Sequence, residues 1–339
     1  MPVSGAPLVS VVIATYNRPA YLESAIASAV NGDYRNVEII VADDLGSDVY
    51  REIAERFGDP RIVYRRNETN LGMAANHIHA FRHLASGEFI AILNDDDEWE
   101  PQFLGKLVPH LTDNPDVVLA FSDHYIIDEH GRIDLTATEE NTRRWRRDVL
   151  SPGLHRPFWR CLVELSIPLA QATVIRRDAI DWRDFPAATG SAYDQWLGYL
   201  ACRGGKACYY LPERLTRYRA HGGSSTASPG DDGSLGMILM YARLMAMPEL
   251  AGLRGEIGSR CGATHLSYGL FLMQVGRVRE ARTHLRDAIS LRGLTPRAAL
   301  AFALASVPDA LGVAALRALR RFHRRFQVWK SLKDPPEHK

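Results

Sequence analysis

From Leu8 to Leu93 the chain alternates between short β-branched runs and segments whose apolar residues recur at helical spacing. That alternation limits the possible folds more than any other feature. Leu8-Val9-Ser10-Val11-Val12-Ile13-Ala14 reads as a buried strand, and Pro19 opens a helix carrying Leu22, Ala25, Ile26, Ala29 and Val30. Val37 to Ala42 predicts a second buried strand, Val49 to Phe57 a helix, Arg61 to Tyr64 a strand, Gly72 to Ala85 a helix and Phe89 to Leu93 a further strand. Parallel neighbours need a crossover, and the helices supply it. The pattern therefore predicts an α/β, doubly wound, mainly parallel sheet with helices on both faces.

Ligands bind such sheets beyond the carboxyl ends of the strands, where three polar clusters fall here: Thr15-Tyr16-Asn17-Arg18, Asp43-Asp44 and Asn94-Asp95-Asp96-Asp97. Each alone is compatible with turn chemistry. Sharing one crevice, they form a candidate site. Asp95 to Asp97 place three carboxylates in succession, and hard oxygen ligands this close relieve their repulsion by holding a divalent cation such as Mn²⁺ or Mg²⁺. No GxGxxG or Walker-type loop follows the first strand, which excludes the usual dinucleotide and P-loop arrangements. A metal would meet the phosphates instead.

In order along the chain stand Val11-Val12-Ile13-Ala14-Thr15-Tyr16-Asn17-Arg18, Val41-Ala42-Asp43-Asp44, Asn70-Leu71-Gly72 with Ala75-Asn76, Gly87 to Asp97, Tyr193-Asp194-Gln195-Trp196-Leu197 and Tyr218-Arg219-Ala220-His221. This series resembles family 2 of the inverting nucleotide-sugar glycosyltransferases, with the GT-A fold. The resemblance implies that Thr15, Tyr16 and Asp44 line a nucleotide base pocket with Asp43 beside them, and that Asn17, Arg18, Asn76, Asn94 and Asp95 border the donor. It implies Asp96 as a metal ligand, with His221 closing over the diphosphate as a second. Asp194 would be the base that takes the acceptor proton, and at a helix N-terminus it could equally serve as a first-turn acid. The helix end would lower its pKa and burial would raise it.

Three positions depart from the family pattern. Asn94 stands where an aspartate is usual, Ala75 replaces a frequent arginine, so that a diphosphate contact is either missing or left to His77 or His79, and Leu45-Gly46-Ser47 replaces a glycine-serine turn. The implied activity is transfer of a sugar, by default from a UDP-sugar, to a hydroxyl acceptor such as a lipid-linked glycan in surface polysaccharide synthesis. A nucleotidyltransferase would want a glycine-rich basic signature after the first strand, where Thr15-Tyr16-Asn17-Arg18 stands instead. The alternative from another class is a non-catalytic nucleotide-sugar-binding or scaffold protein that recruits partners through its helical tail.

Val117 to Phe121 predicts another strand with Ser122-Asp123 at its end, and residues 124–160 read as irregular, with Arg143-Arg144-Trp145-Arg146-Arg147 as a solvated surface run. The expected glycosyltransferase domain covers residues 1–233, and a helical region follows over 234–339. Tyr268 to Ile289 resembles a single tetratricopeptide-type hairpin, and Ala298 to Leu316, interrupted by Pro308 and Asp309, reads as helical rather than membrane-spanning. Leu316 to Lys333 is a basic amphipathic stretch suited to peripheral contact with an anionic membrane. A net charge of +1 supplies no field for nucleic acid. The four cysteines lack metal spacing and read as reduced thiols, and Pro2 to Pro7 carries no secretory pattern, so the expectation is a cytoplasmic protein, working at the inner membrane face if the tail binds there.

Overall fold

The first β-branched run forms β1 (Val9–Thr15), in which every residue is buried. The computed structural model describes residues 5–186, 189–222, 233–307, 311 and 313–318. Pro19 is the first residue of α1 (Pro19–Val30), and Leu22, Ala25, Ile26 and Ala29 make its buried stripe. Burying a side chain the size of Leu22 or Ile26 stabilises the fold by about 1.5–3 kcal/mol. Then follow β2 (Val37–Asp43), α2 (Val49–Arg56), β3 (Ile62–Arg66), α3 (Met73–His79) and β4 (Phe89–Ile92). The helix expected to run to Ala85 leaves α geometry after His79, and Ala80–Leu84 forms a π-helical turn.

These strands lie parallel in the order β3-β2-β1-β4, with Thr15 opposite Asp43. The chain continues through β5 (Glu98–Trp99), α4 (Phe103–Thr112), β6 (Val117–Ile127), α5 (Leu135–Arg144), β7 (Gly153–His155), α6 (Trp159–Val163), β8 (Thr173–Arg176), α7 (Tyr193–Cys202) and β9 (Ala207–Arg219). β8 pairs antiparallel with β4 and β6, whereas β9 runs parallel to β6 and pairs antiparallel with the short β5 and β7. The sheet is thus parallel on one side of β4 and mixed on the other.

Two expectations are corrected here. β6 continues to Ile127, so Asp123 lies within the strand rather than at its end. Residues 124–160 contain α5 and β7 and begin α6, and Arg147 of the basic run is 3% exposed. Its Nε donates to Asp123 Oδ1 at 2.6 Å, and Thr142 Oγ1 donates to Asp123 Oδ2 at 2.8 Å. A buried carboxylate needs a buried cation, and this pairing joins residues 24 apart. Trp159 and Trp196 are core residues, and Trp182 stacks on Phe185 with ring centroids 6.3 Å apart. All four cysteines are free and buried.

Residues 1–229 and 230–339 separate into two units. The second contains α8 (Ser234–Ala246), α9 (Arg254–Gln274), α10 (Val278–Arg292) and α11 (Pro296–Ser306). α9 and α10 form the expected hairpin. A Cβ on Gly269 would meet the Leu285 side chain at 2.9 Å and one on Gly262 would meet Arg292 Cβ at 2.8 Å, so the glycines allow the close crossing. Leu316 is buried and Arg317 Nη2 donates to Gln274 O at 3.0 Å. From residue 319 onward the basic stretch lies outside the described residues, as do residues 187–188 and 223–232. No helix among the described residues is long and apolar enough to cross a membrane.

Candidate active site

The ends of β1 and β4 meet through their side chains. Thr15 Oγ1 donates to Asp95 Oδ2 at 2.8 Å, and Arg18 Nη1 reaches Asp96 Oδ2 at 2.6 Å and Asp95 Oδ1 at 3.4 Å. Between them Asn17 holds a left-handed backbone (φ 57°), which costs about 1–2 kcal/mol in a non-glycine residue. Tyr16 is 47% exposed, which leaves its ring free to stack on a flat ligand. His221, just past β9, brings Nε2 to 3.0 Å from Asp96 Oδ2, and its ring lies 5.0 Å from that of Tyr21.

The acidic turn is almost wholly desolvated. Burial and then the charge of Asp96 push the Asp95 pKa up to about 7, against the opposing pull of Arg18 and Thr15. Asp97, 1% exposed, is raised by burial and then by Asp96. Its oxygens accept from the Arg219 backbone N–H at 2.9 Å and from Asn94 Nδ2 at 2.8 Å. Asn94 therefore supplies a donor to a buried carboxylate, which an aspartate there could not do.

Arg219 was named in the sequence only as part of a motif, and the structure shows it fastening the turn. Its Nε donates to Asp96 O at 2.8 Å, Nη1 to Asp128 O at 3.1 Å and Nη2 to Glu98, while its guanidinium lies 4.9 Å from the Tyr21 ring centroid. A buried arginine contacting three segments holds the end of β9, and hence His221, against the acidic turn.

The acids after β2 are engaged differently. Asp43 accepts from the Gly46 N–H at 2.6 Å and from Tyr64 Oη at 2.5 Å. Gly46 is required at this position, because a Cβ would meet the Tyr50 ring at 2.4 Å. The Asp44 carboxylate accepts from Asn67 Nδ2, Leu71 N and Gly72 N at 2.7–2.9 Å. Asn76 accepts from Asn67 Nδ2 at 2.9 Å and donates to Ala42 O at 2.8 Å. Through Asn67, Asp44 and Asn76 share one network that ties the loop before α3 to β2, while Asp43 fastens the turn at Gly46.

Asp194 lies in the first turn of α7, half-buried, with Oδ1 accepting from Gln195 N at 2.7 Å. Burial prevails over the Gln195 hydrogen bonds and raises its pKa to about 6. The neighbouring Tyr193 phenol is raised by burial and then by the charges of Asp194, Asp97 and Asp96, so the start of α7 lies within electrostatic reach of the acidic turn.

Asp96 Oδ2 and His221 Nε2 have the separation of adjacent ligands on one octahedral ion, about 3 Å when each bond is about 2.1 Å. Among the described residues no three His, Cys, Asp or Glu side chains gather at metal spacing. The described residues thus offer two donors, and an ion there would take its remaining ligands from diphosphate oxygens and water. Within those limits the residues fit.

Residues 10–158 match the profile of glycosyl transferase family 2. An uncharacterised glycosyltransferase of Methanocaldococcus jannaschii is 41% identical over 131 residues, 38% of this chain and 45% of that protein. The Escherichia coli UDP-Glc:α-D-GlcNAc-diphosphoundecaprenol β-1,3-glucosyltransferase WfaP is 32% identical over 119 residues, 35% of this chain and 47% of its own length. The chain thus spans about half the length of these two relatives. Residues 1–349 of S. aureus TarS, solved with UDP-GlcNAc, superpose with a TM-score of 0.64 at 17% identity, covering 94% of this chain and 91% of that one. The N-terminal unit belongs to glycosyl transferase family 2 and has the GT-A fold.

Proposed function

We propose that this chain is an inverting glycosyltransferase that moves a sugar from a nucleoside diphosphate donor, by default a UDP-sugar, to a hydroxyl acceptor. The observation that carries the reading is the desolvated Asp194 carboxylate opening α7 within electrostatic reach of the buried turn Asp95–Asp97. A base with a pKa near 6 is ionised at neutral pH and is a stronger proton acceptor than an ordinary aspartate. As the acceptor oxygen attacks the anomeric carbon, Asp194 takes its proton, and the bond to the diphosphate breaks on the opposite face with the electron pair leaving on phosphate oxygen.

Arg18 and His221 would contact the departing diphosphate, with the Tyr16 ring beneath the base and Asp44 holding the loop that borders it. A divalent ion on Asp96 and His221 would, when bound, neutralise the leaving group. WfaP is named for a lipid-diphosphate-linked acceptor. That name and the basic stretch from Leu316 support a lipid-linked glycan acceptor met at the cytoplasmic membrane face.

Calorimetric titration of UDP, GDP and dTDP, each with Mn²⁺ and with EDTA, tests the donor site. Binding of one nucleotide that weakens without metal is the expected result, and no binding under any condition refutes it. An Asp194→Asn variant that binds nucleotide yet transfers no sugar excludes the scaffold alternative.

A further inference from the structure

Two polar atoms beside the start of α7 have no hydrogen-bond partner among the described residues, His77 Nε2 and Thr189 Oγ1. Both residues are deeply buried, at 2% and 1% exposed. They come from elements that pack on each other, α3 and the 3₁₀ turn Gly190–Ala192, to which Thr189 contributes its carbonyl by accepting from Ala192 N at 3.1 Å. The tautomer of His77 follows from its other nitrogen. Nδ1 lies 2.9 Å from Met73 O, and since a carbonyl only accepts, the proton is on Nδ1 and Nε2 keeps its lone pair. The ring stacks on Tyr193 at 4.5 Å and 24°, one residue from Asp194. Burial lowers its pKa to about 4, so Nε2 remains an acceptor at neutral pH.

An acceptor that is desolvated and left unmatched costs about 1–3 kcal/mol, so native proteins rarely retain one without a water or ligand to fill it. The chemistry of the pair limits that ligand. A neutral imidazole lone pair cannot accept from a diphosphate oxygen that carries no proton, which argues against the diphosphate contact considered for His77. A hydroxyl group suits both atoms, because it can donate to Nε2 and accept from the threonine.

We propose that His77 and Thr189 form a specificity-determining pair that reads one hydroxyl of the transferred sugar, with the O–H donating to His77 Nε2. The inference rests on the donor-site reading above and extends it from the nucleotide to the sugar. It also predicts discrimination against a donor lacking that hydroxyl, since such a donor leaves the lone pair desolvated and unmatched. A water bridging the two atoms is the competing occupant.

The test uses the full chain, UDP, a panel of UDP-hexoses with their deoxy analogues, and calorimetry. His77→Phe keeps the aromatic stacking and removes the lone pair, and Thr189→Val keeps the shape and removes the hydroxyl. For the UDP-hexose that wild type binds best, each variant should lose about tenfold in affinity while the Kd for UDP changes by less than about twofold. Wild type should bind one deoxy analogue as weakly as His77→Phe binds the parent sugar. Equal losses for UDP and UDP-sugar, unchanged affinities, or a wild type that binds every UDP-hexose no better than UDP would overturn the pair and favour water. Should His77→Phe fail to fold by circular dichroism, Thr189→Val and the deoxy series give the same readout. A wild type that binds no nucleotide would instead remove the donor-site reading itself.

Discussion

The two strands that flank β1 end in acidic sequences that look alike, Ala42-Asp43-Asp44 and Asn94-Asp95-Asp96, yet the structure treats them in opposite ways. After β2, both carboxylates are satisfied by fixed donors of the fold: backbone N–H groups of Gly46, Leu71 and Gly72, the Tyr64 hydroxyl and the Asn67 amide. After β4, Asp95 and Asp96 meet the side chains of Thr15, Arg18 and His221, and burial raises the Asp95 pKa. A carboxylate held by backbone donors organises a loop. One held by side chains can exchange them for a ligand, at little cost to the fold.

Asp194 accepts from the backbone N–H of Gln195, but like Asp95 it has a pKa raised by burial, and replacing it should have the largest effect. Asp194→Asn is expected to lower kcat by about 10³-fold with nucleotide affinity retained. For wild type, kcat/KM should rise with pH through about 6 and level off, since the base must be ionised. Stability should move the other way. The folded pKa, about 6, exceeds the ordinary 3.8, so ionisation opposes folding: the penalty is absent below the lower value, grows between the two and is constant above the upper. Asp194→Asn should therefore unfold at higher temperature than wild type at pH 7.5 and not at pH 3.5. A variant less stable than wild type at pH 7.5 would move Asp194 to the structural class.

The contrast between the strand ends is sharpest in a pair of variants. Asp96→Ala should weaken metal-dependent nucleotide binding about 100-fold with a small change in denaturation midpoint. Asp44→Ala removes the acceptor of the Leu71 N–H and one of the two acceptors of both the Gly72 N–H and the Asn67 amide, and should cost about 1–3 kcal/mol in chemical denaturation. The reverse pattern would break the comparison. The smallest effect is expected for Asn94→Asp, which sets a second carboxylate against buried Asp97 in place of an amide donor. It should cost about 1 kcal/mol at pH 8 and less at pH 4, where protonation relieves the repulsion; denaturation curves at the two pH values decide it.

Much of this was legible along the chain. The alternation of β-branched runs with helical stripes located β1 through β4 and their helices to within a few residues, because hydrophobic period and proline position act locally. The polar ends of β1, β2 and β4 followed from the same pattern. Less local features were not legible. Asp123, inside β6, is paired with an arginine 24 residues away, and the apparent surface run at Arg143–Arg147 gave up one member to that ion pair.

By itself, then, the sequence determined the order of strands and helices from β1 to β4, the family of the N-terminal unit and which residues gather beyond those strand ends, since these depend on period and motif. Only the tertiary structure decided which of two similar acid pairs would have its charge satisfied by fixed donors, and that Arg219 would fasten the acidic turn. It also decided that His77 would keep a buried lone pair unmatched among the described residues. The physical reason is that hydrogen-bond satisfaction and desolvation are set by groups distant in the chain, and no local pattern records which of them arrive.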